Sequence, residues 1–123
     1  MPIRVSSRDK LINSVLSTGF ACIRAGKTDN NLKYFNRIIP ALRGVRRYGS
    51  AAIDLAYVAS GRLEGFWEMN LNLYDIAAGV LLVQEAGGSV SDFKGASDFP
   101  KIGTLASNGL IHNEFLGFFK ASD

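Results

Sequence analysis

The sequence predicts an α/β domain: a mixed, mainly parallel sheet with helices on both faces. Three observations predict it. Strand-like and helix-like patterns alternate along the 123 residues, which implies crossover connections that lay helices on the sheet. One helix is bracketed by strong signals, Ser50 as N-cap and Gly61 just past its end. A further stretch, Glu68 to Gly88, runs from a strand exit through a helix entrance to a Gly-Gly stop. Ligand sites of open α/β sheets collect at that edge.

Met1 to Lys10 is polar, without a strand or helix period, and reads as an irregular N-terminal segment. Residues 11–123 then form one domain, a size that buries a real core. Leu11 to Thr18 predicts the first strand, broken by Gly19, and Cys22 to Asp29 reads as loop. Asn30 or Asn31 opens a helix reaching about Leu42, with Leu32, Phe35, Ile38, Ile39 and Leu42 on one face. Pro40 is awkward there and threatens an early end. Val45 to Tyr48 is a short strand. The next helix, Ala51 to Ser60, carries a small-residue stripe of Ala51, Ala52, Leu55, Ala56 and Ala59 for close packing. Leu63 to Trp67 is a strand, and Tyr74 to Ala86 a helix stopped by Gly87 and Gly88. Ser89 to Phe93 is a strand, Lys94 to Lys101 a loop, and Gly103 to Ser107 the final strand. Asn113 to about Lys120 closes the chain as a helix. Crossovers are expected to be right-handed.

Composition narrows the function classes. Hydrophobic residues make up 47% and charged residues 20%, a globular rather than disordered balance. The net charge is +3, with one local cluster at Arg43, Arg46 and Arg47. A nucleic-acid footprint is a denser stripe, so no nucleic-acid partner is expected. Cys22 is the sole cysteine, which excludes a disulfide within the chain and points to a reducing cytoplasm. It reads as a small core hydrophobe. No apolar run nears the roughly 18 residues of a membrane helix, and the N-terminus has no signal-peptide core.

Two constellations could carry chemistry. In Arg46-Arg47-Tyr48-Gly49-Ser50-Ala51-Ala52, a strand ends, glycine allows a turn and a helix of small residues begins. The first N–H groups of that helix and its dipole suit an anion. Arg46 or Arg47 can add charge. A capped core helix with two solvated arginines is the plain alternative, and it stays open. Glu68 and Asp75 form the second constellation. Asp75 is either a helix-start residue favoured by the dipole or a hard oxygen ligand for Mg²⁺. Glu68 could accept hydrogen bonds from substrate hydroxyls. His112, the sole histidine, reads as a surface or cap residue. There is no phosphate-binding GxxxxGK[ST], no GxGxxG and no Cys/His metal spacing.

Taken together, these stretches resemble the inositol monophosphatase family of Mg²⁺-dependent, lithium-sensitive sugar phosphatases. The family's second signature, Trp-Asp followed by small residues and an apolar helix ending Glu-Ala-Gly-Gly, reads here Tyr74-Asp75-Ile76-Ala77-Ala78-Gly79, then Glu85-Ala86-Gly87-Gly88. Arg46 to Glu68 resembles the segment leading into it, and the likeness runs from about Ser14 to Phe119. The resemblance implies the C-terminal half of a layered αβαβα phosphatase. It makes Asp75 a metal ligand, puts Arg46, Gly49, Ser50 and Ala51 at the substrate, and makes Glu68 a contact to its hydroxyls. Leu73-Tyr74 stands where the family has Pro-Trp. The first signature, Asp-Pro-Ile-Asp-Gly-Thr, is absent, as is the family's upstream metal-binding Glu.

The expected function is therefore the C-terminal part of a Mg²⁺-dependent phosphate monoester hydrolase, inactive or weakly active alone. The expected substrate is an inositol phosphate or related sugar phosphate. Two alternatives remain: half of a split phosphatase needing an N-terminal partner chain, or a non-catalytic binding or regulatory module. The face toward the missing half should be apolar and exposed, which predicts a homo-oligomer or a chain needing a partner.

Overall fold

Five short strands carry the architecture of the computed structural model, which describes residues 3–19, 31–69, 71–97 and 103–120. They are β1 (Val15–Thr18), β2 (Gly44–Arg46), β3 (Gly65–Glu68), β4 (Ser89–Ser91) and β5 (Thr104–Ser107). Among the described residues, four α-helices accompany them: α1 (Leu32–Ile38), α2 (Ala51–Ala59), α3 (Leu73–Glu85) and α4 (His112–Lys120). The sheet order is β2-β1-β3-β5-β4. β1 runs parallel to β2 and to β3, whereas β5 runs antiparallel to β3 and β4. The sheet is mixed as expected, with parallel and antiparallel pairings in equal number rather than mainly parallel.

Strand alternation divides the core into two layers. Leu16, Trp67 and Leu105 face α1 and α4, where Ile38, Phe115 and Phe119 complete a buried cluster. Phe66 and Ala106 face the other way, against Leu55 and Val58 of α2 and Ile76, Val80 and Val83 of α3. Trp67 meets Phe115 and Phe119 edge to face. Helices thus cover both faces. Gly79 lets α3 approach α2: a Cβ there would stand 2.7 Å from Leu55. Close packing comes from that glycine more than from the small-residue stripe of α2, because Ala52 is exposed.

Several boundaries differ from the sequence reading for local reasons. Leu11–Asn13 is a 3-10 turn rather than the start of β1, held by Ser14 Oγ donating to Lys10 O. α1 stops at Ile38, and Ile39–Ala41, containing Pro40, continues as a 3-10 turn. β2 begins at Gly44 and ends at Arg46, before Arg47 and Tyr48. Ser50 does cap α2, accepting from Ile53 N, and Gly61 follows its end with φ 81°. Residues 3–10 contain no helix or strand. They are tied down by Val5 N to Ala86 O and by Asn108 Nδ2 to Arg8 O. Cys22 and its predicted loop lie outside the described residues, as does part of the Lys94–Lys101 loop.

His112 is not a simple surface residue. It opens α4 half-buried, with Nδ1 2.7 Å from Ser107 Oγ and Nε2 2.9 Å from Ser91 Oγ. It thereby ties the antiparallel edge pair together, and burial lowers its pKa below the ordinary 6.5. A neutral ring donates through one nitrogen and accepts through the other, which suits two hydroxyl partners.

Candidate active site

The carboxyl ends of β1 and β3 are fixed by a buried polar knot. Asn31, just before α1, donates through Nδ2 to Thr18 Oγ1 and Gly19 O, and accepts from Trp67 Nε1. Thr18 Oγ1 in turn donates to Trp67 O. Every polar atom of the knot is buried, and a buried polar group stays favourable only while bonded. The knot brings Gly19 and Glu68 side by side. A methyl at Gly19 would lie 2.5 Å from the Glu68 carboxylate atoms, so the lack of a side chain there leaves room for that carboxylate.

Above this edge opens a cavity of about 410 Å³, lined by Gly19, Arg47, Gly49, Ser50, Ala51, Ala52, Asp54, Glu68, Leu71, Asn72 and Asp75. Five of the six residues singled out from sequence therefore share one cavity: Gly49, Ser50, Ala51, Glu68 and Asp75. Arg46 does not join them. It lines a separate cleft with Arg8, Arg43, Arg62 and Glu64, and its Nη1 donates to Val45 O. Its neighbour Arg47 takes the place in the cavity instead, since successive residues of an extended segment point opposite ways.

Each wall has a local cause. Gly49, at φ 82°, makes the turn into α2. The N–H groups of Ala51 and Ala52 precede the first intrahelical bond, Asp54 N to Ser50 O. Ser50 Oγ accepts from Ile53 N at 3.3 Å, which leaves its own hydrogen free to donate. On α3 the N-cap is Asn72, whose Oδ1 accepts from Tyr74 N. Asp75 stands in the first turn without the capping task, exposed at the cavity. Tyr74 is 94% exposed and covers nothing.

Asp54 escaped the sequence reading. It is 1% exposed on the inner side of α2. Burial pushes its carboxyl from the ordinary 3.8 to about 7; the nearby Glu68 charge adds to the rise and the Ser17 hydroxyl opposes it. That Ser17 contact is loose, because Ser17 Oγ and Asp54 Oδ1 both lack a partner of full hydrogen-bond geometry. A signal was present: Asp54 falls three residues after Ala51 and four before Val58, on the apolar stripe, where a charge is out of place.

The sequence model of the inositol monophosphatase family matches residues 1–120. The chain belongs to the inositol monophosphatase family. An inositol-1-monophosphatase of Mesorhizobium japonicum is 45% identical over 115 residues, 93% of this chain but 43% of its own length. One from Synechocystis is 48% identical over 114 residues, 92% of this chain and 40% of its own. The Nus factor SuhB of Pseudomonas aeruginosa is 46% identical over 107 residues, 85% and 40% of the two chains. Among solved structures, the inositol monophosphatase of Anabaena superimposes with a TM-score of 0.89 at 42% identity, covering 95% of this chain and 47% of that one. The chain thus spans less than half the length of these inositol monophosphatase family relatives. No helix among the described residues is long and apolar enough to cross a membrane.

Proposed function

We propose that this chain is the C-terminal part of a Mg²⁺-dependent phosphate monoester hydrolase acting on an inositol phosphate or related sugar phosphate, and that alone it is inactive or weakly active. The supporting observation is the single cavity shared by the α2 N-terminus, Glu68 and Asp75. An anion at that helix start meets the N–H groups of Ala51 and Ala52, the Ser50 hydroxyl and the helix dipole, with Arg47 adding charge. Small Ala51 and Ala52 let a phosphate approach the backbone. Glu68 accepts hydrogen bonds from hydroxyls, which favours a polyol over an apolar leaving group.

Asp75 suits Mg²⁺ as one hard oxygen ligand, because the ion takes one or two carboxylates with waters and phosphate oxygens. When bound, such an ion polarises the phosphate and activates water. Among the described residues, however, no group of three or more His, Cys, Asp or Glu could hold a metal. The donor set among the described residues is incomplete, and in this reading the hydrolytic step draws on further ligands.

The outer face of α3 supports the same reading. Tyr74, Leu81 and Leu82 are exposed there together with Ala77 and Ala78. Their spacing is one helical stripe, opposite the buried Ile76, Gly79, Val80 and Val83. A half-enzyme supplied on the same or another chain would cover it. The test is phosphate release from inositol 1-phosphate with Mg²⁺. The chain alone should stay at background. Adding a partner chain that carries Asp-Pro-Ile-Asp-Gly-Thr should restore activity, and Asp75→Asn should abolish it. Robust release by the chain alone, lost in Asp75→Asn, overturns the incompleteness. Inactivity of the mixture, with both chains folded and bound, overturns the hydrolase reading.

A further inference from the structure

A second polar site lies at the opposite end of the sheet from Glu68. β2, β1 and β3 run parallel, so their starting residues share one edge. The cleft at that edge, about 350 Å³, reaches Val15 at the start of β1, Gly44 at the start of β2 and Glu64 just before β3. Four arginines line it: Arg8, Arg43, Arg46 and Arg62. Arg46 ends β2, yet its side chain turns back along the strand. Its Nη1 donates to Val45 O and would stand 3.4 Å from a Cβ at Gly44. A neighbouring cleft of about 550 Å³ shares Arg8, Gly61 and Glu64 with the first and adds Arg4, Ser6, Ser7 and Ser60. The two form one groove across the base of the sheet.

The charge in this groove is one-sided. Glu64 is the sole carboxylate lining it. That carboxylate is turned inward, 4% exposed, with Oε1 accepting from Val15 N and Oε2 3.9 Å from Arg8 Nε. Among the described residues no carboxylate pairs with Arg4, Arg43, Arg46 or Arg62, and all four are exposed. They are not needed to cap α2 either, because Ala56 O, Tyr57 O and Val58 O already accept from the N–H groups of Ser60, Arg62 and Gly61. Like charges gathered without a counter-charge repel, and an anion relieves that repulsion. A guanidinium fork matches two phosphate oxygens, and serine hydroxyls can donate beside it. A lone phosphate has four oxygens and is saturated by two forks, whereas the first cleft alone holds three unpaired ones. Neither cleft is lined by an aromatic side chain, so there is no plate on which a nucleic-acid base would stack. We propose that this groove binds a small anion carrying two or more linked phosphates, held by Arg43, Arg46 and Arg62 and extended toward Arg4 and the serines. It is separate from the Glu68–Asp75 cavity and does not depend on the sugar-phosphate reading of that cavity.

The test is calorimetric titration of sodium tripolyphosphate into the full chain, without added metal and at about 20 mM salt, where charges are least screened. Arg8 is left in place, because its loss would strand the buried Glu64 carboxylate. Wild type should bind, and Arg43→Gln with Arg62→Gln should weaken binding about tenfold or more. Arg47→Gln with Lys94→Gln removes the same charge outside the groove and should leave the affinity unchanged. Nitrogen-15 NMR of wild type gives a readout that needs no variant: the side-chain N–H signals of Arg43, Arg46 and Arg62 should shift as ligand is added. Prior addition of inositol 1-phosphate should leave tripolyphosphate binding as it was. Absence of heat and of shifts overturns the site. Equal losses in the two double variants overturn it too, because net charge alone would then explain the binding. Orthophosphate binding as tightly as tripolyphosphate overturns the linked-phosphate class. A single-stranded oligonucleotide that shifts the same arginines and binds more tightly than tripolyphosphate overturns the small anion in favour of a nucleic acid.

Discussion

Asp54→Asn is expected to reverse part of the response of this fold to pH. The folded carboxyl binds its proton up to about 7, against an ordinary value of 3.8. At about 1.4 kcal/mol per pH unit, that displacement is worth up to about 4 kcal/mol. The raised value means the folded state holds the proton more tightly than the unfolded chain. The stabilising contribution is therefore complete below 3.8, shrinks as pH rises, and is gone above about 7. His112 works in the opposite sense. Its lowered pKa makes its contribution complete above 6.5 and lost as pH falls. The two overlap, so the wild-type curve alone does not isolate Asp54. The difference between wild type and Asp54→Asn does, because His112 is common to both. Urea unfolding followed by the fluorescence of buried Trp67 supplies the assay, at several pH values from about 4 to about 8. The asparagine variant should gain on wild type steadily as pH rises, by about 2–4 kcal/mol in all. Curves that stay parallel within about 0.5 kcal/mol would refute the buried, proton-holding carboxyl.

Other perturbations follow from the same contacts. In an Asp54→Asn background, stability should fall as pH drops below 6.5, and His112→Gln should flatten that fall; urea midpoints at paired pH values measure it. Asn31→Ala should destabilise by about 2–4 kcal/mol, since it strands the Trp67 indole N–H and empties the knot; the indole resonance should shift in the NMR spectrum. Gly19→Ala should push the Glu68 carboxylate aside while changing stability by under about 1 kcal/mol; weakened inositol 1-phosphate binding with an unchanged urea midpoint is the expected pair of results. Leu81→Lys with Leu82→Lys should reduce self-association at the exposed stripe; light scattering against wild type checks this, and equal particle sizes from associating samples would count against it.

The helices with chemical punctuation were legible in the sequence. Ser50 and Gly61 set α2, and Gly87 with Gly88 ended α3, because capping is a local interaction between near neighbours. Strand edges were less legible. The apolar pattern from Leu11 extends β1 four residues beyond its true start, since Leu11 is buried in a 3-10 turn as effectively as in a strand. Gly49, Ser50, Ala51, Glu68 and Asp75 were legible because two motifs point to one sheet edge. Arg46 was not separable from Arg47, because a half-turn of extended chain decides which one faces the cavity. The Asn31 knot and the His112 bridge had no local signal. Trp67 lies 36 residues from Asn31 and Ser91 lies 21 from His112, so these pairs meet only once the sheet has formed.

The strand order has a consequence for how this chain is made. β5 lies between β3 and β4, so β3, already beside β1, lacks its second neighbour and β4 has none until residues 104–107 have been synthesised. Gly65 then pairs with Ser107, and α4, which follows β5 along the chain, supplies Phe115 and Phe119 to close one layer. Partial chains leave the ribosome with β3 and β4 as open edges, the condition that favours misassembly during synthesis. Removing residues 104–120 should therefore be as damaging as removing β3, because both leave the sheet without its central pairing.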